Sequence, residues 1–141
     1  MRQLTTLAIL CLGFLLSVKL VAAEQPMKDS IVRIPLLTAH LTHEKLVDRM
    51  EIKKINFSPS QQTGLHLHPC PVVGYIAKGS IYFQVEGKKA KILHEGDAFF
   101  EPANVKILHF DNLSKRDGSS FIAFYLLGKT DKDLIKLLEK Q

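Results

Sequence analysis

Most of the chain consists of short apolar runs separated by turn residues, and this rhythm restricts it to an all-β fold. Predicted strands include SIVRIPLL (30–37), RMEIKKINF (49–57), SIYFQVEG (80–87) and FIAFYLLG (121–128). Gly- and Pro-containing turns separate the runs, and no helix-length stretch lies between consecutive ones, which argues against parallel βαβ units. The pattern predicts a β-sandwich or β-barrel.

Two local departures from regular strands are predicted. The apolar positions of strand 49–57 change parity between Ile52 and Ile55, and a bulge at residues 53–54 would absorb that change. Near the chain end, TDKDLIKLLEK (130–140) places leucines on one helical face, with Thr130 suited to the N-cap. Acidic residues near the start of this segment and lysines near its end would interact favourably with the helix dipole. The sequence therefore predicts a short C-terminal helix.

The first 23 residues have the composition of a secretory signal peptide. MRQLTTLAILCLGFLLSVKLVAA begins with a basic residue, continues with an apolar stretch and ends in small residues before Glu24. Ser17 and Lys19 leave the apolar stretch short for a spanning helix, which needs about 20 apolar residues. An uncleaved membrane anchor is the alternative. We expect an exported protein, periplasmic or secreted, without stable membrane insertion after cleavage.

The predicted mature chain, residues 24–141, has the length of a single domain. Cys70 is its only cysteine, so no internal disulfide can form. Loss of Arg2 and Lys19 with the signal peptide leaves 17 basic against 14 acidic residues, a net charge of +3. These charges alternate along the chain without a basic stripe, so no nucleic-acid partner is predicted.

His66 and His68 are the first candidate metal ligands. Residues two apart on a strand face the same side, about 6.6 Å apart at roughly 3.3 Å per residue. Two imidazoles so placed can turn toward one ion at about 2.0–2.1 Å. A His-x-His pair alone is weak evidence, because such pairs also occur as surface residues.

The surrounding residues give the pair its context, because positions 64–112 resemble the cupin family. Cupins carry Gly and His-x-His, then Glu and Gly, followed by Gly-Asp, a short strand, Pro-x-Gly and His. This sequence matches that pattern at His66, His68, Pro69, Tyr75, Gly79, Gly96, Asp97 and Pro102, and loosely at Asn112. The resemblance implies a cupin-type double-stranded β-helix, that is, a jelly-roll barrel, over the single domain.

The metal motif of the resemblance is incomplete. The family's glutamate falls on Val72, or on Val73 with the longer spacing, and its second-motif histidine falls on Ile107. His109 lies two residues further on and is expected to share a face with Ile107. The glycine after Pro102 becomes Asn104, which also accepts a positive φ. Two of the four ligands implied by the resemblance are thus aliphatic.

Glu101 and His109 are the residues that would compensate. With His66 and His68, Glu101 would form a two-histidine, one-carboxylate set suited to Fe, Mn or Zn. In the alternative interpretation, Glu101 caps the following turn and His109 is a hydrogen-bonded wall residue, so no metal is bound. The predicted ligand pocket is lined by Val73, Tyr75, Phe99 and Ile107.

Two functions follow from this pattern. The first is an exported cupin that binds a small molecule in its barrel beside a partial histidine metal site, because the missing ligands make the wall more apolar. The second, implied by the family resemblance, is a metal-dependent oxygenase or isomerase. No catalytic residue is assigned. The resemblance also implies a homodimer formed through an outer strand.

Overall fold

The structure, a computed structural model, describes residues 31–41 and 43–139. The predicted signal peptide lies outside these residues. In the compact unit that begins at Ile34, the described residues form nine strands. They are β1 (Arg49–Phe57), β2 (His66–Leu67), β3 (Val72–Lys78), β4 (Ser80–Val85), β5 (Lys91–His94), β6 (Ala98–Glu101), β7 (Lys106–Asn112), β8 (Ser119–Leu127) and β9 (Lys136–Leu137).

The strands form two antiparallel sheets, as the spacing of turns predicts. One sheet has the order β1-β8-β3-β6 and the other β5-β4-β7-β2-β9. Chain neighbours often lie in different sheets, so each sheet contributes one apolar face to a shared core. Alternation is clearest in β8, where Phe121, Ala123, Tyr125 and Leu127 are buried and the residues between them are half-buried. The predicted all-β, jelly-roll class is confirmed.

A cluster of phenylalanines fills the centre between the sheets. Phe57, Phe99, Phe110 and Phe121 come from four different strands, and their ring centroids lie 4.7–6.2 Å apart in edge-to-face or tilted contacts. Such contacts add to the free energy of burial and hold the rings in one arrangement. The packed rings therefore form the core between the two sheets.

Three details of the sequence prediction are wrong. Residues 31–37 form no strand in the part of the chain that the structure describes. Strand β1 contains no bulge, because it pairs with β8 in unbroken register from Arg49–Leu127 to Phe57–Ser119. The parity change is resolved instead by exposure of Ile52 on the outer face.

The C-terminal helix is also absent from residues 130–139. This segment makes a turn and then the short strand β9, which pairs with β2. The amide of Leu138 donates to the carbonyl of Leu65, and the carbonyl of Leu134 accepts from His68. Tertiary hydrogen bonds thus replace the local ones that a helix would make, and they override helix propensity. No helix long and apolar enough to cross a membrane occurs in the part of the chain described.

Candidate metal centre and adjoining cavity

Both histidines of the His-x-His pair point into the space between the sheets. His66 begins β2, and His68 follows that strand directly. The two residues are 2% and 4% exposed, and their ring centroids lie 5.1 Å apart. Leu67, between them, is half-buried and faces the other way. Strand alternation therefore places both imidazoles on the inner face, as the spacing predicts.

Glu101 joins them from the opposite sheet. It ends β6, is 3% exposed, and brings its Oε2 to 2.9 Å from Nε2 of His68. One ligand atom from each of His66, His68 and Glu101 lies within 4.8 Å of the other two. Among the described residues this is the one group of three potential ligands placed so closely.

The hydrogen bonds around the histidines define which nitrogen of each ring is available. Nδ1 of His66 lies 2.8 Å from the carbonyl oxygen of Gly64, and Nδ1 of His68 contacts the carbonyl oxygen of Leu134. A carbonyl oxygen only accepts, so both Nδ1 atoms carry a proton. Nε2 is then the ligating nitrogen in each ring, with backbone carbonyls in the outer-shell position usual for metal-binding histidines.

The protonation state of His68 in the metal-free site follows from its two hydrogen-bond partners. Its Nε2 faces a carboxylate and its Nδ1 a carbonyl, so the ring carries both protons and is positively charged. Burial alone would lower the pKa of His68, but the hydrogen bond and the negative charge of Glu101 outweigh burial and raise that pKa. Burial instead lowers the pKa of His66, which makes no hydrogen bond to a carboxylate.

This arrangement fits a divalent metal. The Nε2 proton of His68 lies between a nitrogen and an oxygen that a metal would bind together, so an ion would take the place of that proton. The donor set of two imidazoles and one carboxylate is the type that suits Fe, Mn or Zn. A buried charged pair is costly to maintain unless it is well compensated, and metal coordination provides such compensation.

His109 lies outside this cluster, and the expectation that it shares a face with Ile107 is wrong. Gln84 pairs with His109 and Val85 with Ile107, so Leu108 is an extra residue that bulges from β7. A bulge turns the following side chains to the other face. Ile107 is consequently buried, while the side chain of His109 is 45% exposed and bonded to Asp111 at 2.7 Å.

A cavity of about 110 Å³ adjoins the three candidate ligands. Of the predicted pocket residues, only Phe99 lines it. Val73 and Tyr75 lie on the outer face of β3, where alternating residues face away from the core, and Tyr75 is 38% exposed. Ile107 is buried directly opposite His66 in the β2–β7 ladder, but it packs in the core and does not line the cavity.

Several residues that line the cavity were not predicted as site residues, and two of them bear on its chemistry and its opening. Tyr125 contacts the ring of His68 at a centroid distance of 5.8 Å, and burial, followed by the nearby charge of Glu101, raises its pKa to about 12. Alternation along β8 is the signal that could have placed Tyr125 inside. Ile135 lines the cavity from the C-terminal segment. The predicted helix obscured its role.

Comparison with known proteins gives one family match and several similar structures. Residues 54–119 match the family model described as the cupin domain. No curated protein sequence matches the chain. Among solved structures, a cupin-like protein from Thermotoga maritima is similar with 24% identity and a TM-score of 0.53, over 63% of this chain and 64% of that one. The match therefore spans less than two thirds of the Thermotoga protein.

Two further structures are similar. An RmlC-like cupin from Shewanella frigidimarina has 25% identity and a TM-score of 0.50, covering 57% of this chain and 68% of that one. A polyketide cyclase from Streptomyces resistomycificus has 17% identity and a TM-score of 0.53, covering 67% and 63%. At these sequence identities the similarities support the fold alone, and an activity has to be argued from the residues of the site.

Proposed function

We infer that the chain belongs to the cupin superfamily, and from its site we propose that it binds one divalent transition metal and a small molecule beside it. His66, His68 and Glu101 would hold the metal, and the adjoining cavity would hold the small molecule. The observation that carries the proposal is the convergence of three buried ligand atoms within 4.8 Å of one another. Polar and charged side chains buried in an apolar core need partners, and a bound metal would be a partner for these three.

The residues around the site have distinct roles in this proposal. The carbonyls of Gly64 and Leu134 hold the two rings in the tautomer that leaves Nε2 for the metal. Glu101 supplies a negative charge that lowers the net charge of the site. Tyr125 stays protonated at neutral pH and can donate a hydrogen bond into the cavity. When bound, the metal supplies a Lewis acid with coordination positions open to a further ligand.

Metal content tests the proposal directly. The protein is purified without a His tag and analysed by inductively coupled plasma mass spectrometry. We expect close to one Fe, Mn or Zn per chain, together with a rise in the midpoint of thermal unfolding when metal is added to chelated protein. A metal-free preparation whose unfolding midpoint ignores all three ions would contradict the proposal.

A metal-dependent enzyme of oxygenase or isomerase type is the second candidate. Three protein ligands, rather than four, support it, because an open position is what a catalytic metal site retains. Loading with Fe(II) and adding nitric oxide as a dioxygen substitute tests this. A paramagnetic iron–nitrosyl signal is expected if the open position accepts such a ligand, and its absence in Fe-loaded protein would count against an oxygenase.

Export and dimer formation are further proposals. The signal-peptide pattern of residues 1–23 supports export, which cell fractionation of the tagged full chain tests. A homodimer is supported by a row of apolar residues across the outer face of the four-stranded sheet, namely Ile52, Phe124, Val73 and Phe100.

Light scattering coupled to size exclusion tests the homodimer. Ile52 is 58% exposed on this face, and Ile92 is 49% exposed on the other sheet. We expect Ile52→Asp to give a monomer and Ile92→Asp to leave the dimer unchanged. A monomeric wild-type chain at working concentration would refute the homodimer.

A further inference from the structure

The cavity beside the metal ligands is poor in positive charge. Among its lining residues in the described chain, the ionisable groups are His66, His68, Glu101 and Tyr125, and no Lys or Arg is present. Lys53 is a cation on a strand next to the cavity. It pairs with the cavity residue Ala123 and lies on the inner side of the edge strand β1. Its side chain is 48% exposed and its ammonium lies 3.2 Å from Glu51. A second carboxylate on a bound molecule would therefore lack a buried cationic partner.

The remainder of the wall is aromatic and aliphatic. Phe57, Phe99, Phe110 and Phe121 line it together with Ile55 and Ala123. The hydroxyl of Thr63, which also lines the cavity, donates to the carbonyl of Phe110 at 3.0 Å. Its one proton is thus committed to the protein. Away from the metal ligands and the hydroxyl of Tyr125, the cavity offers mainly apolar contacts.

The volume limits the size of the occupant. At about 110 Å³ the cavity is smaller than the apolar cavity of about 150 Å³ that accommodates benzene. Edge-to-face and tilted contacts among the phenylalanines restrict how far the walls can separate. The least buried lining residue is Ile135, so the opening lies beside the C-terminal segment.

We propose, building on the metal site proposed above, that the small molecule is short, carries one oxygen-donor head and has an uncharged apolar body. The head would bind at His66, His68 and Glu101, and a body of a few carbon atoms would lie among the phenylalanines. Short dicarboxylates are disfavoured, because their second carboxylate would face aromatic rings and the negative charge of Glu101.

A series of probes with one common head tests this inference. The full chain is loaded with Co(II), whose visible absorption reports ligand exchange at the metal. Acetohydroxamic, propionohydroxamic and butyrohydroxamic acids are then titrated, together with the monohydroxamate of succinic acid, which carries a carboxylate on its tail. We expect affinity to rise by up to about fourfold per methylene, from the burial of each CH2 group. The carboxylate-tailed probe should bind at least tenfold more weakly than butyrohydroxamic acid.

A cavity-filling variant localises the effect. Ala123→Leu places a larger side chain in the cavity and should remove the dependence on tail length while Co(II) binding persists. Ala98→Leu, on the outer side of β6, is the matched control and should retain that dependence.

The outcomes separate the two proposals. Co(II) binding with equal affinity for all tails, or with a preference for the carboxylate tail, would overturn the inference about the ligand and leave the metal site standing. Failure of the wild-type chain to bind Co(II) would overturn both.

Discussion

Val72 on β3 and Glu101 on β6 lie directly opposite each other in the antiparallel β3–β6 ladder. Both are buried, at 1% and 3% exposure, so their side chains share the inner face. The cupin resemblance places a metal-binding glutamate at Val72 or Val73, and of these two positions only Val72 faces inward. In this protein the carboxylate therefore comes from the adjacent strand β6, where Glu101 lies opposite Val72 and reaches His68.

This relationship predicts that a glutamate placed at position 72 can replace Glu101 as a metal ligand. Opposite residues in an antiparallel pair have Cβ atoms about 4.5–5.5 Å apart, a gap that the longer glutamate side chain can partly span. We expect Glu101→Val to reduce metal affinity by at least about 100-fold, since loss of a ligand exceeds the 10- to 100-fold effects of outer-shell changes. Adding Val72→Glu should recover at least tenfold of this, measured by competition with a chromophoric chelator.

The single variant Val72→Glu is the control for this exchange. It places two carboxylates on one face and is expected to destabilise the metal-free protein, because neighbouring like charges repel. If the double variant binds metal no better than Glu101→Val alone, the ladder relationship has no functional meaning.

Substitution of each histidine tests which ones are ligands. His66→Ala and His68→Ala should each reduce the metal content of the purified protein to near background, because only two protein ligands would remain. His109→Ala is the matched control, since His109 is half-exposed and bonded to Asp111, and it should retain the wild-type content. Loss of metal in the His109 variant, with the other two unaffected, would contradict the assignment of the site.

The His-x-His pair could be proposed from the sequence because strand alternation is a local rule, and Glu101 because an acid that ends an otherwise apolar strand is unusual. Asn104 was predictable because it falls on the turn glycine of the cupin motif and Asn accepts a positive φ. It has a φ of 58°, as expected for the residue that replaces a turn glycine, and its amide donates to the carbonyl of His68. Such features depend only on residues close in the chain.

Features set by distant partners could not be predicted in this way. The bulge at Leu108 lies in the run Ile107–Phe110, where the residues on both faces are large and carry no turn signal. The helix predicted for 130–140 had correct local propensities, but the hydrogen bonds of Leu134 and Leu138 connect the segment to β2 and His68. Long-range pairing of this kind is not encoded in any local pattern.

The shape of the cavity depends on a close contact between Gly74 and Phe99. A Cβ added at Gly74 would lie 2.1 Å from Cζ of the Phe99 ring and 2.8 Å from the carbonyl oxygen of Ile122. Gly74→Ala should therefore displace the ring and lower the free energy of unfolding by about 1–3 kcal/mol, the usual range for overpacking. Urea denaturation measures this change.

A compensating substitution distinguishes overpacking from other effects of alanine. Phe99→Leu removes the ring and should itself destabilise the core. Combined with Gly74→Ala it should cost less than the sum of the two single changes, because the clash with the Phe99 ring is absent and only the contact with the carbonyl of Ile122 remains. Strict additivity of the two free-energy changes would contradict the proposed contact.

The buried pair of His68 and Glu101 predicts a dependence of stability on pH in metal-free protein. Because the pKa of His68 is raised in the folded state, the folded protein binds this proton more tightly than the unfolded chain. Its contribution to stability is therefore fully present below the unfolded pKa of about 6.5 and is lost as pH rises through the folded pKa. Removing one partner of a buried pair typically costs about 3–5 kcal/mol.

We therefore expect His68→Gln to destabilise the protein by about 3 kcal/mol at pH 6 and by less as pH increases, in urea titrations with chelator present. His66 provides the opposite case. Burial lowers the pKa of His66, so the unfolded chain takes up that proton first and the wild type loses stability as pH falls below 6.5. His66→Gln should remove this loss. If the effect of His68→Gln instead grows with rising pH, the ring is not held as a cation by Glu101.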